Sequence, residues 1–313
     1  MTSGESSRFS TTAIGLRESE LRVKSAVVAV VGRPSAGKST LVNALCGAKV
    51  SIVSPVPQTT RNRVRGILND VDAQIVFIDT PGFHLSTRKI NTYMTGIVSS
   101  TLEEVDIVLY VVDGSRASGE EEKAISEAVR AAGKPTVICL NKKDAGDDVW
   151  ALVRASVCSF LTGAPSFDVS ARTGDGLDAL REKLIQLSPD GEQMYPPDYY
   201  TDQTPEFRIS EIVREKVTLG TREEVPHAVY VRIEDVEMRD DGQTLWARGF
   251  ICVERESQKG IIVGRGGDKI RQIIRDSEAE LSEIFPWAVK LDMRVKVDRQ
   301  WRKRDPLLKK MIR

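Results

Sequence analysis

The residues with the plainest chemistry are Gly32, Arg33, Pro34, Ser35, Ala36, Gly37, Lys38, Ser39 and Thr40. An apolar run from Ala26 to Val31 leads into them, and a helical pattern from Leu41 to Cys46 follows and stops at Gly47. A strand, a glycine-framed loop, a Lys-Ser pair and a helix are the context of a phosphate-cradling P-loop. Glycine lets successive backbone N–H groups curl towards one anion. A helix beginning at Lys38 adds the positive end of its dipole at the same point. Lys38 then reaches the terminal phosphates and the Ser39 hydroxyl is a magnesium ligand, so the stretch predicts a nucleoside triphosphate site.

Further along, other residues complete that chemistry. Two prolines, Pro55 and Pro57, make an irregular loop of the polar run that ends in Gln58, Thr59, Thr60 and Arg61. A threonine there can fold over the nucleotide, its hydroxyl on magnesium and its N–H on the γ-phosphate. Asp79, Thr80, Pro81 and Gly82 follow a second apolar run, where a carboxylate holds magnesium, usually through water. Gly82 lets a backbone N–H approach the γ-phosphate. Magnesium is thus assigned to Ser39, Thr60 and Asp79, and catalysis to Lys38, Thr60 and Gly82. Asn141, Lys142 and Asp144 select the base: a carboxylate accepts two parallel hydrogen bonds, and guanine presents N1–H and N2–H₂ side by side. Adenine offers no such pair. Ser170 and Ala171 close the set with a backbone N–H for the guanine carbonyl oxygen.

A second glycine loop lies far downstream at Gly264, Arg265, Gly266 and Gly267, with Ile262 and Val263 before it and a helical pattern after it. This is the KH signature, a loop that clamps the backbone of single-stranded RNA between two helices. Lys259, Arg265, Lys269 and Arg271 supply the charge. No Lys-Ser or Lys-Thr follows Gly267, which argues against a second nucleotide loop. In the tail, Arg299, Trp301, Arg302, Lys303, Arg304, Lys309, Lys310 and Arg313 predict a terminal helix that faces nucleic acid.

Elements must hold these residues in place. Gln74–Ile78, Ile107–Val112, Thr136–Leu140 and Phe167–Val169 read as buried strands, and Arg63–Leu68 as an edge strand. Leu85–Glu104, Glu120–Ala132 and Leu177–Leu187 read as helices. Strands alternating with helices, and sites at the strand ends, predict an α/β domain with a doubly wound, mostly parallel sheet. Glu206–Val217 is amphipathic, Ala228–Val236 and Leu245–Val253 form a hairpin, and Val289–Val297 is a last strand. Helix, hairpin, glycine-loop helix pair and strand give the α+β order of a type II KH domain. The expected layout is a disordered tail over 1–20, a nucleotide domain over 21–187, a proline-rich linker over 188–204, and a KH domain with a basic C-terminal helix over 205–313.

Composition sets the frame. The chain has 313 residues, and its 45 basic residues balance its 45 acidic ones, so net charge indicates no partner. Cys46, Cys139, Cys158 and Cys252 have no metal or redox spacing and read as core thiols of a reducing cytosol. No apolar run approaches the roughly 18 residues of a membrane span, and the Ser/Thr-rich start is not a secretory signal.

From Gly32 to Ala171 the motifs resemble those of the translation-factor-related GTPases. With the KH order added, nearly the whole chain resembles the bacterial Era-like GTPases. Pro57 to Arg61, Asp79 to His84, and Lys296 and Val297 ahead of Trp301 carry that likeness. The resemblance implies a GTP-binding switch that hydrolyses GTP to GDP with magnesium. It also implies binding of the 3′ end of 16S rRNA and assistance in maturing the small (30S) ribosomal subunit. A cytoplasmic monomer is expected, with peripheral contact at the cytoplasmic face of the inner membrane as an alternative suggested by the basic tail. Ser35 stands where many relatives carry an asparagine that helps to hold potassium, which puts potassium activation in question. Ras-like GTPases place a glutamine after the Asp-x-x-Gly, but Phe83 stands there and offers no hydrogen bond, so slow intrinsic turnover is expected. His84, with nothing in the sequence to orient its ring, is expected to be an exposed loop residue.

Overall fold

Residues 23–84, 89–146 and 148–312 are described by the computed structural model, the side chains of residues 241 and 310 apart. The tail expected over 1–20, and the start of the helix expected from Leu85, lie outside these residues.

The first half follows the apolar runs. Strand β1 (Val23–Val31) leads into helix α1 (Lys38–Cys46), then β2 (Val64–Asn69), β3 (Ala73–Asp79) and α2 (Lys89–Glu104). Next come β4 (Ile107–Asp113), α3 (Glu120–Ala132), β5 (Thr136–Asn141), α4 (Trp150–Phe160), β6 (Ser166–Asp168) and α5 (Leu177–Leu187). Every residue of β3 and β4 is buried, as in a sheet covered on both faces. One core gathers α1 and α5 against the sheet, and the other gathers α2, α3 and α4. The strand order is β2-β3-β1-β4-β5-β6, parallel except for the antiparallel edge β2. The chain steps to one side of β1 and then to the other, so a crevice opens at the carboxyl end of β1, where ligands of such sheets bind. Helix α3 has Glu120, Glu121 and Glu122 in its first turn and the left-handed Gly133 at its end, matching its dipole and its stop.

The proline-rich segment is ordered as a strap. Its strand β7 (Asp190–Gly191) pairs with Val23 and Lys24, and the buried Gln74 side chain accepts from the N–H groups of Met194 and Tyr195. Tyr200 packs on the first core.

The second half begins with α6 (Pro205–Gly220), capped by the Thr204 hydroxyl, followed by the short α7 (Val225–Ala228). Strands β8 (Tyr230–Arg239) and β9 (Thr244–Val253) form the hairpin. Helices α8 (Glu256–Val263) and α9 (Asp268–Ile284), strand β10 (Ala288–Val297) and helix α10 (Asp305–Met311) complete the chain. β9 pairs antiparallel with β8 and parallel with β10 in a sheet of order β10-β9-β8. Residues of α6, α8 and α9 share one apolar core with it. The architecture is a P-loop GTPase fold followed by a KH fold, as the sequence predicts. Among the described residues no helix is long and apolar enough to cross a membrane.

The tail differs from expectation. Trp301 does not face a ligand: it is fully buried, tilted against Tyr230 at 4.9 Å, and its Nε1–H donates to the Ala228 carbonyl at 2.9 Å. Leu308 and Ile312 are buried in a cluster with Met94 of α2. A tryptophan among basic residues reads as a stacking platform in sequence, yet its large apolar area is better used in a core.

Candidate nucleotide and RNA sites

The P-loop runs from β1 into α1, with Gly37 left-handed at φ 92° as the cap of α1. A side chain there would also collide with Asn141, whose Nδ2 would lie 2.3 Å from its Cβ. The Lys38 ammonium donates to the carbonyls of Gly32 at 3.1 Å and Arg33 at 3.0 Å. Burial pulls its pKa down to about 8, against the opposing charge of Asp79. Lys38 is therefore a desolvated cation at the mouth of the crevice, a state that a polyphosphate relieves.

Ser39, Thr60 and Asp79 converge from three segments. Ser39 Oγ donates to Asp79 Oδ2 at 2.7 Å and lies 2.7 Å from the Thr60 hydroxyl, which must then be the donor of that pair. Asp79 Oδ1 is buried without a hydrogen-bond partner among the described residues, and burial pushes the carboxyl above its usual range, against the pull of Lys38. Two hydroxyls and an orphaned carboxylate oxygen form a donor set suited to a small hard cation such as magnesium. The Thr59 hydroxyl donates to the Val56 carbonyl at 2.7 Å within its own loop, and Thr59 lines the same cavity as Thr60.

Thr80 Oγ1 donates to the Val30 carbonyl at 2.7 Å and fixes the end of β3 to β1. Gly82 presses on the P-loop: a Cβ there would lie 2.6 Å from Pro34 N. Phe83 packs in the core, and its N–H donates to the Gly32 carbonyl at 3.1 Å. His84 is oriented after all, by a hydrogen bond between Nδ1 and Glu121 of α3, 37 residues away in sequence. A cavity of about 400 Å³ joins Gly37, Lys38, Ser39, Thr60, Gly82 and Lys142. Thr40 lines it too.

At the base-selecting end, Asn141 is a tie. Its Nδ2 donates to the Ala36 carbonyl at 2.9 Å, and its Oδ1 accepts the Ala171 N–H at 2.9 Å. Of the two backbone N–H groups expected to offer one to the guanine oxygen, that of Ala171 is engaged by Asn141 and that of Ser170 by the Asp175 carbonyl at 2.9 Å. Lys142, left-handed at φ 71°, holds Asp113 at 2.8 Å. Asp144 accepts from Ser170 Oγ at 2.6 Å, which holds its carboxyl below the usual range, and pairs with Arg172 at 2.5 Å. Sequence reasoning passed over Arg172; a cation two places beyond Ser170 was the only signal.

The second loop joins α8 to α9. Gly264, Gly266 and Gly267 have φ of 74°, 59° and 82°, a left-handed path that larger residues resist. Arg265, Gly266 and Arg271 are exposed, Arg271 pairs with Asp268, and Lys259 and Lys269 are half-buried. Arg265, Lys269 and Arg271 lie within three residues of the first residue of α9, whose N-terminus can receive a phosphate.

Side chains from the first half and from α6 link the two sites. Arg61, next to Thr60, is buried and donates to the carbonyls of Val229 at 2.7 Å and Pro226 at 3.3 Å. From α6, Glu215 accepts the Val53 N–H at 2.7 Å and the Lys49 ammonium at 2.6 Å. Lys49 also pairs with Glu280 of α9.

Comparison with known proteins extends over both halves. Residues 27–142 match the family described as 50S ribosome-binding GTPase, and residues 224–302 match the KH domain family. The GTPase Era of Treponema denticola is 48% identical over 292 residues, covering 92% of this chain and 99% of its own. The GTPase Era of Halothermothrix orenii is 40% identical over 288 residues, covering 92% and 98%. The crystal structure of an Aquifex aeolicus Era variant bound to GDP and AlF4− superposes with a TM-score of 0.87 at 34% identity, covering 92% of this chain and 98% of that one. A structure of Era with MgGDPNP and nucleotides 1506–1542 of 16S ribosomal RNA gives the same TM-score, identity and coverage.

Proposed function

The chain belongs to the Era family of GTPases, and on that premise we propose that it couples GTP hydrolysis to binding of the 3′ end of 16S rRNA during assembly of the 30S subunit. It binds GTP and GDP and is a GTPase. In the proposed cycle Ser39, Thr60 and Asp79 hold magnesium, which when bound offsets charge developing on the phosphate oxygens. Lys38 and the amides of Arg33, Pro34-flanked Ser35, Ala36 and Gly37 grip the phosphates, Thr60 and Gly82 close over the γ-phosphate, and Asp144 reads guanine. Lys259, Gly264, Arg265, Gly266, Gly267, Lys269 and Arg271 clamp the RNA. The place of work is the cytoplasm and the active form a monomer; no role is assigned to potassium or to a membrane.

One observation carries the coupling: Arg214 of α6 donates to the Thr59 carbonyl at 2.7 Å, so the RNA-binding half grips the loop that presents Thr60. Loop movement on hydrolysis would then be felt by the KH domain. Crosslinking the protein to cellular RNA tests the reading, with recovery of the 16S 3′ end expected. Replacing Arg265 and Gly266 by Asp should abolish that crosslink and leave GDP affinity unchanged. Recovery of unrelated RNA, or loss of both activities together, would refute the assignment.

A further inference from the structure

GTP hydrolysis needs a group that orients the attacking water, and in Ras a glutamine does so. Phe83 cannot, being apolar and packed in the core. His84 is held by Glu121 and lines a side cavity of about 570 Å³ with Arg116 and His227, outside the cavity that contains Lys38 and Ser39. Between the two cavities stands a wall shared by both: Pro34, Ser35 and Gln58.

From this geometry we infer that Gln58 is the water-orienting residue of this GTPase. Gln58 lines the cavity of Lys38, Ser39, Thr60 and Gly82. Among the described residues its carboxamide has no hydrogen-bond partner, whereas the neighbouring Ser54 and Thr59 hydroxyls are bonded to each other at 2.5 Å. Its backbone is left-handed at φ 64°, a conformation that a glutamine adopts only when the surrounding loop imposes it, and such strain gathers at working sites. Two residues later Thr60 is anchored to Ser39 at 2.7 Å, so the segment carrying Gln58 is fixed to the magnesium-binding corner.

A carboxamide suits the task because it offers an acceptor for a water hydrogen and a donor for a γ-phosphate oxygen at once. Water oxygen bonds to the γ-phosphorus as the bond from that phosphorus to the β–γ bridging oxygen breaks. Gln58 aims the water through Oε1 and takes no proton; the proton passes to a phosphate oxygen of the products. The inference rests on the GTPase activity alone and is independent of the RNA reading, since no RNA enters its test.

The test is single-turnover hydrolysis by the full chain, beside affinities for GDP, GDPNP and GDP with AlF4−. Gln58→Gly keeps the left-handed backbone accessible and removes the amide. The rate should fall roughly tenfold to a hundredfold, GDP and GDPNP affinities should hold, and GDP–AlF4− binding should weaken. Gln58→Asn, with the amide set back by one methylene, should fall between Gly and wild type. A Gln58→Gly rate close to wild type would overturn the inference. So would equal weakening of all three ligands, or a rate loss seen with His84→Ala but not with Gln58→Gly.

Discussion

Arg214 hydrogen-bonds the carbonyl of Thr59 at 2.7 Å, so a helix of the KH half holds the residue immediately before Thr60, the threonine proposed to bind magnesium. Farther along the same helix, Gly220 at its C-terminus faces Lys269, one of the residues proposed to clamp RNA. At about 1.5 Å per residue, the six residues from Arg214 to Gly220 span roughly 9 Å of α6 between these two contacts. A rigid helix touching both sites is the physical means by which nucleotide state and RNA binding can influence each other.

Asp144→Asn should shift base preference from GTP towards XTP. The amide donates where the carboxylate accepted, so guanine N1–H and N2–H₂ lose their partner while the carbonyl of xanthine gains one. Competition of GTP and XTP for the purified variant measures the shift, and undiminished GTP preference would remove Asp144 from the role.

Gly82→Ala should slow hydrolysis and weaken GDPNP more than GDP. Its new methyl group would sit 2.6 Å from Pro34 N, so Asp79–Gly82 and the P-loop could no longer close on one another. Paired affinity measurements for the two nucleotides check this, the expected gap being on the order of tenfold, or about 1.4 kcal/mol.

Arg61→Ala should destabilise the protein by about 2 kcal/mol, because the carbonyls of Val229 and Pro226 lose their donor in a buried interface. Burial holds the guanidinium down at about 9, and part of the loss is offset by removing that desolvated charge. Arg61→Lys should not restore stability, since one ammonium cannot span carbonyls that a planar fork reaches. Urea titration of the three proteins gives the answer.

Acid should loosen the contact between the halves. Burial favours the protonated form of Glu280, but hydrogen bonds from Lys216 and Lys49 outweigh it and hold the carboxyl below its ordinary value of 4.5. Its contribution is therefore complete above pH 4.5 and lost as the pH falls below that value. Thermal unfolding followed across this range should show a shallower acid loss for Glu280→Gln than for wild type.

Trp301→Ala should cost about 3–5 kcal/mol, as for other fully buried large side chains. Trp301→Phe should retain most of that stability and keep RNA affinity, since the ring packs on Tyr230 and does not stack on a base. Loss of RNA affinity in a stable Trp301→Phe protein would revive the stacking reading.

The loops at residues 32–40, 141–144 and 264–267 were legible in the sequence, because each is a contiguous run whose residue types dictate its own backbone path. Helices such as Glu120–Ala132 and Leu177–Leu187 were legible for the same reason, since caps and apolar spacing act within a few residues. Helix α4 was not singled out. What only the tertiary structure decided is which distant groups meet. Arg61 and Arg172 look alike in sequence, yet one is buried on carbonyls 165 to 168 residues away and the other pairs at the surface with Asp144. His84 finds Glu121, and Trp301 turns inward, because packing of separate elements sets their surroundings. Local chemistry is written along the chain; the joining of the two halves depends on faces brought together across it, and no short-range pattern encodes that meeting.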